Sequence, residues 1–298
     1  MHYAIGDVHG CYQAMEKMIG KIEREDADAQ FILIGDVIDR GGETPEVLEW
    51  CMKNVTRDGK YQMLMGNHEL MFMEWCSREW FPYCEGKKKS YEHAHYHADE
   101  DLKKAGLLTG QSVAQIFSFF RSPIVKEKTV ISPDGRQRIV LAHAWAKKEE
   151  MEEIRSGNRR PKEYFKTFLL DRTGQERDAA YDPEGKEILI HGHTPTTGVD
   201  VYENGGVPGR IVYRKHAVNI DCGLSHGSVD YDVPANLAAI CLENLKEYYA
   251  YSLEECYANM HFGDAEAVKR AVSAYKQKYH FSRPDLMRID LIRQINGA

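Results

Sequence analysis

The stretch Phe31-Ile32-Leu33-Ile34-Gly35-Asp36-Val37-Ile38-Asp39-Arg40-Gly41-Gly42 decides the fold. Four apolar residues running straight into Gly-Asp are the pattern of a parallel strand, buried on both faces, that ends by presenting a carboxylate at the rim of a sheet. Ligands of open α/β sheets gather at that edge. Asp39 and Arg40 follow on the same short loop, before a Gly-Gly turn that lets the chain fold back. A carboxylate there suits a metal and a guanidinium suits a phosphate.

The same arrangement flanks this stretch on both sides. Upstream, His2-Tyr3-Ala4-Ile5-Gly6-Asp7-Val8-His9-Gly10 is a short strand whose period of two puts Asp7 and His9 on one side. A helix from about Tyr12 to Glu25 follows, with Met15, Met18, Ile19 and Ile22 spaced to face the core. Downstream, Pro45 to Asn54 reads as a helix opened by Thr44 as N-cap and Pro45 at its first position, completing a βαβ unit. Tyr61 to Met65 is then a third strand, ending in Gly66-Asn67-His68-Glu69. Three successive strands that each end in glycine and a polar cluster mark a binding edge rather than a set of solvated turns.

Further along, residues from about Cys76 to Ser112 form an insertion with Lys87-Lys88-Lys89 and the His-rich run Glu92 to Asp101. Nothing fixes a metal geometry there, so it reads as the solvated surface of a lid. Ile124 to Ile131 and Arg138 to Ala142 are strands joined by the turn signal Ser132-Pro133-Asp134-Gly135, and the second delivers His143. After a mixed-charge helical stretch from Lys147 to Asp171 comes Arg172. Glu187 to Ile190 then delivers His191-Gly192-His193 to an edge. Short strands follow near Ile211 to Tyr213, Ala217 to Ile220 and Asn236 to Leu242, with Asp221-Cys222-Gly223 read as a structural turn. Helices are expected over Asp264 to Tyr279 and Pro284 to Ile295.

Composition narrows the class. With 298 residues and 43% apolar content the chain can bury a substantial core, and a net charge of −7 argues against a nucleic-acid polymer as partner. Seven cysteines, an odd number without a CxxC pair, suit reduced thiols and a cytoplasmic protein. No apolar run approaches a membrane span, and a strand beginning near His2 leaves no room for a signal peptide.

The strand ends supply Asp7, His9, Asp36, Asn67, His143 and His193, six oxygen and nitrogen donors without sulfur. This set suits two borderline divalent ions such as Mn, Fe or Zn, with Asp36 central enough to bridge them. Two such ions hold an activated water and clamp the oxygens of an in-line phosphoryl displacement. Arg40, with Arg172 as a second arm, would grip the non-reacting phosphate oxygens. His68 would protonate the leaving oxygen, with Asp39 holding its ring.

Gly6-Asp7-Val8-His9-Gly10, Gly35-Asp36-Val37-Ile38-Asp39-Arg40-Gly41 and Gly66-Asn67-His68-Glu69 resemble the GDxHG, GDxxDRG and GNHE signatures of the phosphoprotein phosphatase family of calcineurin-like metallophosphoesterases. Order and spacing agree, and Leu141-Ala142-His143-Ala144 and His191-Gly192-His193-Thr194-Pro195 resemble the two later histidine motifs. The resemblance implies an α/β protein with a central β-sandwich flanked by helices and a dinuclear centre, with Mn the expected metal. Asp7, His9 and Asp36 would bind one ion, and Asp36, Asn67, His143 and His193 the other. His193 is the implied ligand of its motif and His191 a packed strand residue. Arg172 is the implied second phosphate-binding arginine, with Arg159 and Arg160 as alternatives.

The catalytic domain is expected over 1–252, followed by a helical extension over 253–298 packed on it. Trp145 stands where the family usually has glycine, and the insertion and tail are not family constants. Without the eukaryotic C-terminal motifs, the chain resembles the bacterial branch, which holds protein serine/threonine phosphatases and symmetrical diadenosine tetraphosphate hydrolases. Glu69 and the intact Asp39-Arg40 favour the protein phosphatase, with a phosphorylated protein or small phosphoester as substrate. An inactive phosphate-binding scaffold fits poorly, since every ligand position is filled.

Overall fold

The computed structural model describes residues 1–122, 127–131, 135, 138–156, 169–172, 181–182, 184–198, 201, 205–226, 233–261, 263–279 and 286–296. Arg159, Arg160 and most of the turn expected at 132–135 lie outside this set.

Two five-stranded mixed sheets form the centre. The first holds β1 (His2–Ile5), β2 (Gln30–Leu33) and β3 (Tyr61–Met63) in parallel, extended beyond β1 by antiparallel β9 (Ala238–Cys241) and β10 (Glu247–Tyr249). The second has β5 (Arg138–Ala142), β6 (Glu187–His191) and β8 (Ala217–Asn219) in parallel, edged by antiparallel β4 (Glu127–Ile131) and β7 (Val212–Arg214). The alternation of each strand sorts its side chains between two cores. Ala4, Ile32 and Ile240 of the first sheet meet Ile139, Leu141, Ile188, Ile190 and Val218 of the second in the layer between the sheets. Their neighbours Tyr3, Ile5, Phe31 and Leu33 face outward onto helices, as do Val140, Ala142 and Leu189 on the other side. The arrangement is the helix-flanked β-sandwich that the family resemblance implies.

The helices on the first outer face are amphipathic as expected. In α1 (Tyr12–Glu23) Met15, Met18, Ile19 and Ile22 are all buried. In α2 (Thr44–Asn54) the expected cap is displaced by one residue. Thr44 is already helical and fully buried, while Glu43 holds the cap position without a side-chain cap bond. Pro45 still sits in the first turn, where its missing N–H costs nothing. The insertion is not wholly a solvated surface. It contains a helix over Ala98–Lys104 after two shorter helical segments, and Ala94, Ala98 and Leu102 are buried in the same core as α1. Among the described residues the C-terminal stretch carries three helices rather than the two expected, Leu253–Met260, Ala265–Lys278 and Leu286–Asn296. The first is opened by a reciprocal Ser252/Glu255 capping box, a signal the sequence contains. Leu291 and Ile295 of the last helix reach the inter-sheet core.

Candidate active site

All six parallel strands aim their C-terminal ends at one place, and the polar residues that follow them meet there. Asp7 and His9 do not share a strand face as expected. β1 stops at Ile5, and the two residues ride a loop in which His9 adopts φ +46. Five non-glycine residues here, His9, Asp36, Asp39, Arg40 and His193, lie in the left-handed region. That conformation costs about 1–3 kcal/mol per residue and is kept where surrounding contacts over-determine it.

At Asp36 those contacts come from Glu69, fully buried one turn into α3 (Asn67–Trp75). Its Oε2 accepts from the amides of Asp36 and Gly66 and its Oε1 from that of Val37, each at 2.9 Å. Glu69 is therefore a clip between the second and third motifs, aimed at backbone and not at a substrate. Gly66 and Gly192 are required by close approach. A Cβ on Gly66 would lie 2.2 Å from the Asp36 amide, and one on Gly192 would lie 2.1 Å from Asp7 Oδ1.

Asp36 is the hub. Its Oδ1 accepts from the His68 amide at 2.9 Å, and its Oδ2 lies 3.3 Å from His143 Nε2, 3.7 Å from His9 Nε2 and 3.8 Å from His68 Nε2. On one side His9, Asp36 and His68 converge, and on the other Asp36, His143 and His193 converge, each set with donor atoms within 4.8 Å of one another. Asn67 Oδ1 completes the second set, 2.9 Å from His143 Nε2 and 2.8 Å from His193 Nδ1. Donor atoms on one ion with bonds near 2.1 Å stand roughly 3 Å apart, so the spacings of the second set fit shared coordination.

The ring orientations fit as well. His143 Nδ1 lies 2.9 Å from the Ile34 carbonyl and His9 Nδ1 3.1 Å from that of Ile38. A carbonyl only accepts, so each Nδ1 carries its proton and each Nε2 turns inward, the way backbone carbonyls orient metal-binding histidines. Asp7 Oδ1 and His193 Nε2 are buried with no hydrogen-bond partner, while Asp7 Oδ2 accepts from the His193 amide at 3.1 Å. Buried polar atoms are normally satisfied, and two orphans among convergent donors suit divalent cations.

The electrostatics agree. Burial pushes Asp7 well above the usual carboxylate range, with Asp221 adding to the push. Burial drives His9 down to about 3 and His193 down to about 2, leaving neutral imidazoles available as ligands. For His143 burial acts downward but is outweighed by Asp36, which helps lift it to about 10. A proton on His143 thus balances carboxylate charge that a divalent ion would balance more fully.

Beside this centre, His68 Nδ1 donates to Asp39 Oδ2 at 2.6 Å, and Arg40 Nη2 lies 3.4 Å from His68 Nε2. Burial raises the Asp39 carboxyl, against the pull of its bond to His68. Arg172 reaches the rim, its Nη1 3.5 Å from the His193 carbonyl. His191 is the buried last residue of β6. Among the described residues, all seven cysteines are free thiols, and no helix is long and apolar enough to cross a membrane.

Two residues at the site were given other readings in the sequence. Asp221 does make the expected turn, with Oδ1 accepting from the Gly223 amide at 3.0 Å, but its Oδ2 is buried without a partner. Burial, reinforced by Asp36, pushes it up to about 6. It follows the sixth strand end, β8, whose three residues gave too weak a pattern to count beside the other five. Tyr96, from the insertion, stacks on His68 with ring centroids 4.5 Å apart, a contact that no local signal announces.

A family model for the calcineurin-like phosphoesterases matches residues 3–220, and the chain belongs to that family. It is a metallophosphoesterase, of a family that works with divalent metal ions. The chain is similar to the symmetrical bis(5'-nucleosyl)-tetraphosphatase of Neisseria gonorrhoeae, 33% identical over 72 residues, 24% of this chain and 25% of that relative. The symmetrical enzyme of Hamiltonella defensa is 25% identical over 62% of this chain and 60% of its own length. The asymmetrical bis(5'-nucleosyl)-tetraphosphatase PrpE of Halalkalibacterium halodurans is 25% identical over 75% of this chain and 85% of its own. The match to the first of these thus spans only a quarter of that relative's length.

Proposed function

We propose that this protein is a dinuclear-metal phosphohydrolase that cleaves dinucleoside polyphosphates such as diadenosine tetraphosphate. The observation that supports a two-ion centre is the position of Asp36 Oδ2, which faces the donor atoms of both residue sets at once. Asp7, His9 and Asp36 would hold one divalent ion, and Asp36, Asn67, His143 and His193 the other, with Mn the first candidate and Fe or Zn alternatives. When bound, the pair would supply a nucleophilic water at neutral pH and neutralise charge on the phosphate.

The chain's own residues do the rest. Arg40, with Arg172 from the rim, would hold the phosphate oxygens that do not react, a task suited to the guanidinium fork. Water would attack phosphorus opposite the leaving oxygen and give up a proton to solvent, while the bond to that oxygen breaks and the electron pair leaves with it. A proton on His68 Nε2 can then follow, while Asp39 holds Nδ1 and steadies the charged ring.

The nucleotide substrate rests on the named relatives. The sequence argument for a protein phosphatase loses one of its two supports, because Glu69 is spent on backbone amides. The other support, the intact Asp39-Arg40, keeps a second reading in view. With Asp39 on His68 Nδ1, proton donation is worth most when the leaving group is a poor one such as a serine alkoxide, and least for a phosphate leaving group. A panel of specificity constants in Mn, for diadenosine tetraphosphate, a phosphoserine peptide, a phosphotyrosine peptide and p-nitrophenyl phosphate, tests the proposal. Diadenosine tetraphosphate should rank first, and a higher constant for the phosphoserine peptide would select the protein phosphatase.

A further inference from the structure

We infer that Tyr96 is the platform of a nucleobase subsite on the leaving-group side of the centre, an inference that rests on the nucleotide reading above. The ring of Tyr96 lies on two residues placed at the reacting phosphate. Its centroid is 4.5 Å from that of His68 at an interplanar angle of 32°, and Arg40 Cζ is 5.2 Å from the ring centre. His95 meets it edge-on at 4.4 Å. Even so, Tyr96 is 43% exposed, so part of the ring stays open.

This position is held by design of the local backbone. Tyr96 and His97 take φ of +67 and +66, a conformation that bulky residues rarely adopt. The turn is tied on both sides. The His97 amide donates to the Ala94 carbonyl at 3.0 Å, and the Ala94 amide donates to the buried Asp99 Oδ1 at 3.0 Å. The Ala98 amide donates to Asp39, so the loop is fastened to the carboxylate that also orients His68. An exposed aromatic ring kept in a strained turn over a site points to a contact with what enters that site.

Distance sets the chemical class of that contact. A flat group stacked on the outer side of Tyr96 would sit another ~4.5 Å out, roughly 9 Å from the His68 ring. Between a leaving phosphate oxygen and its base, a nucleoside diphosphate interposes one further phosphate and a ribose, which is a span of this order. A phosphoserine side chain offers no ring to place there. The ring face carries no base-specific donor, so the subsite accepts purines by stacking and is tolerant of base identity.

The test uses ADP and inorganic pyrophosphate as competitive inhibitors of p-nitrophenyl phosphate turnover, with free Mn held constant, in the wild type, Tyr96→Ala, Tyr96→Leu and Tyr96→Phe. ADP should bind more tightly than pyrophosphate in the wild type. That ratio should fall about 5- to 100-fold in Tyr96→Ala and Tyr96→Leu, the usual worth of one stacked base, and survive in Tyr96→Phe. Being a ratio within one protein, it is insensitive to partial unfolding. An equal loss for both inhibitors would show that Tyr96 only props His68 and Arg40, and a gain for both would show that it only covers the site. Either outcome overturns the inference. If the wild type hydrolyses phosphopeptides and not diadenosine tetraphosphate while the ADP ratio still depends on Tyr96, the substrate reading fails and the subsite stands.

Discussion

Replacing Glu69 by glutamine changes almost no volume and tests what holds the loops of the candidate metal ligands in place. The carboxylate accepts three buried amides, two on Oε2 and one on Oε1. Glutamine keeps one acceptor oxygen. Its best orientation serves Asp36 and Gly66 and turns an NH2 group against the Val37 amide, leaving at least that N–H unsatisfied. The cost is about 1–3 kcal/mol at neutral pH. In a chain of this size that lowers the melting temperature by roughly 2–6 °C, at about 2 °C per kcal/mol, the low slope that applies to longer chains. Alanine would orphan all three amides and cost about 3 kcal/mol or more. Because two of the strapped amides belong to Asp36 and Val37, the glutamine variant should also lose turnover at saturating Mn. Its preference between diadenosine tetraphosphate and a phosphoserine peptide should stay as in the wild type, since Glu69 touches neither. Calorimetry and specificity constants on the same preparations decide this. Wild-type melting together with wild-type turnover would refute the clip, and a shifted preference would return Glu69 to the substrate groove.

His68→Asn should lower the turnover number by roughly 10²- to 10⁴-fold for a phosphoserine peptide and by clearly less for p-nitrophenyl phosphate, whose leaving group needs no proton. Equal losses at saturating metal would move His68 from proton donor to a positioning role. Gly192→Ala drives a methyl group into Asp7 Oδ1, so its metal affinity measured by titration should fall even where the protein still folds; unchanged affinity would remove Asp7 from the centre. Asp182, outside the site, accepts amides of Glu184, Lys186 and Glu187 and faces Lys148 at 3.1 Å. Burial acts upward on its carboxyl, but these partners hold it below 3.8. Its stabilisation is therefore full above that value and lost as the pH falls through the lower folded value. Asp182→Asn should accordingly be less stable than the wild type at neutral pH, with the gap closing in acid; a gap independent of pH would contradict this.

The parts of the site legible in the sequence were those carried by strand ends with strong apolar runs. Phe31 to Ile34 and Glu187 to Ile190 announce buried parallel strands without help from tertiary structure, so the residues just beyond them could be placed at one edge. Thr44 was misplaced by a single residue because Thr-Pro satisfies the cap rule, whereas packing buries that threonine inside the first turn. Asp221 was hidden because its turn role is real and occupies only one of its oxygens. Tyr96 was beyond reach for a different reason. Its contact with His68 is made across the fold, and its left-handed backbone is imposed by bonds to Asp99 and Asp39 that no spacing rule encodes. Glu69 was legible as part of a motif but not in its role, since a carboxylate aimed at amides and one aimed at a substrate look alike in a sequence.

In the proposed centre Asp36 is shared by two ions. Mn titration followed by electron paramagnetic resonance tests this directly, because two Mn ions about 3.5–4 Å apart couple magnetically and a single ion does not. The wild type should bind two equivalents per chain and give the spectrum of a coupled pair, and Asp36→Asn should lose the coupling. One equivalent, or two with the spectrum of isolated ions, would rule out a shared Asp36.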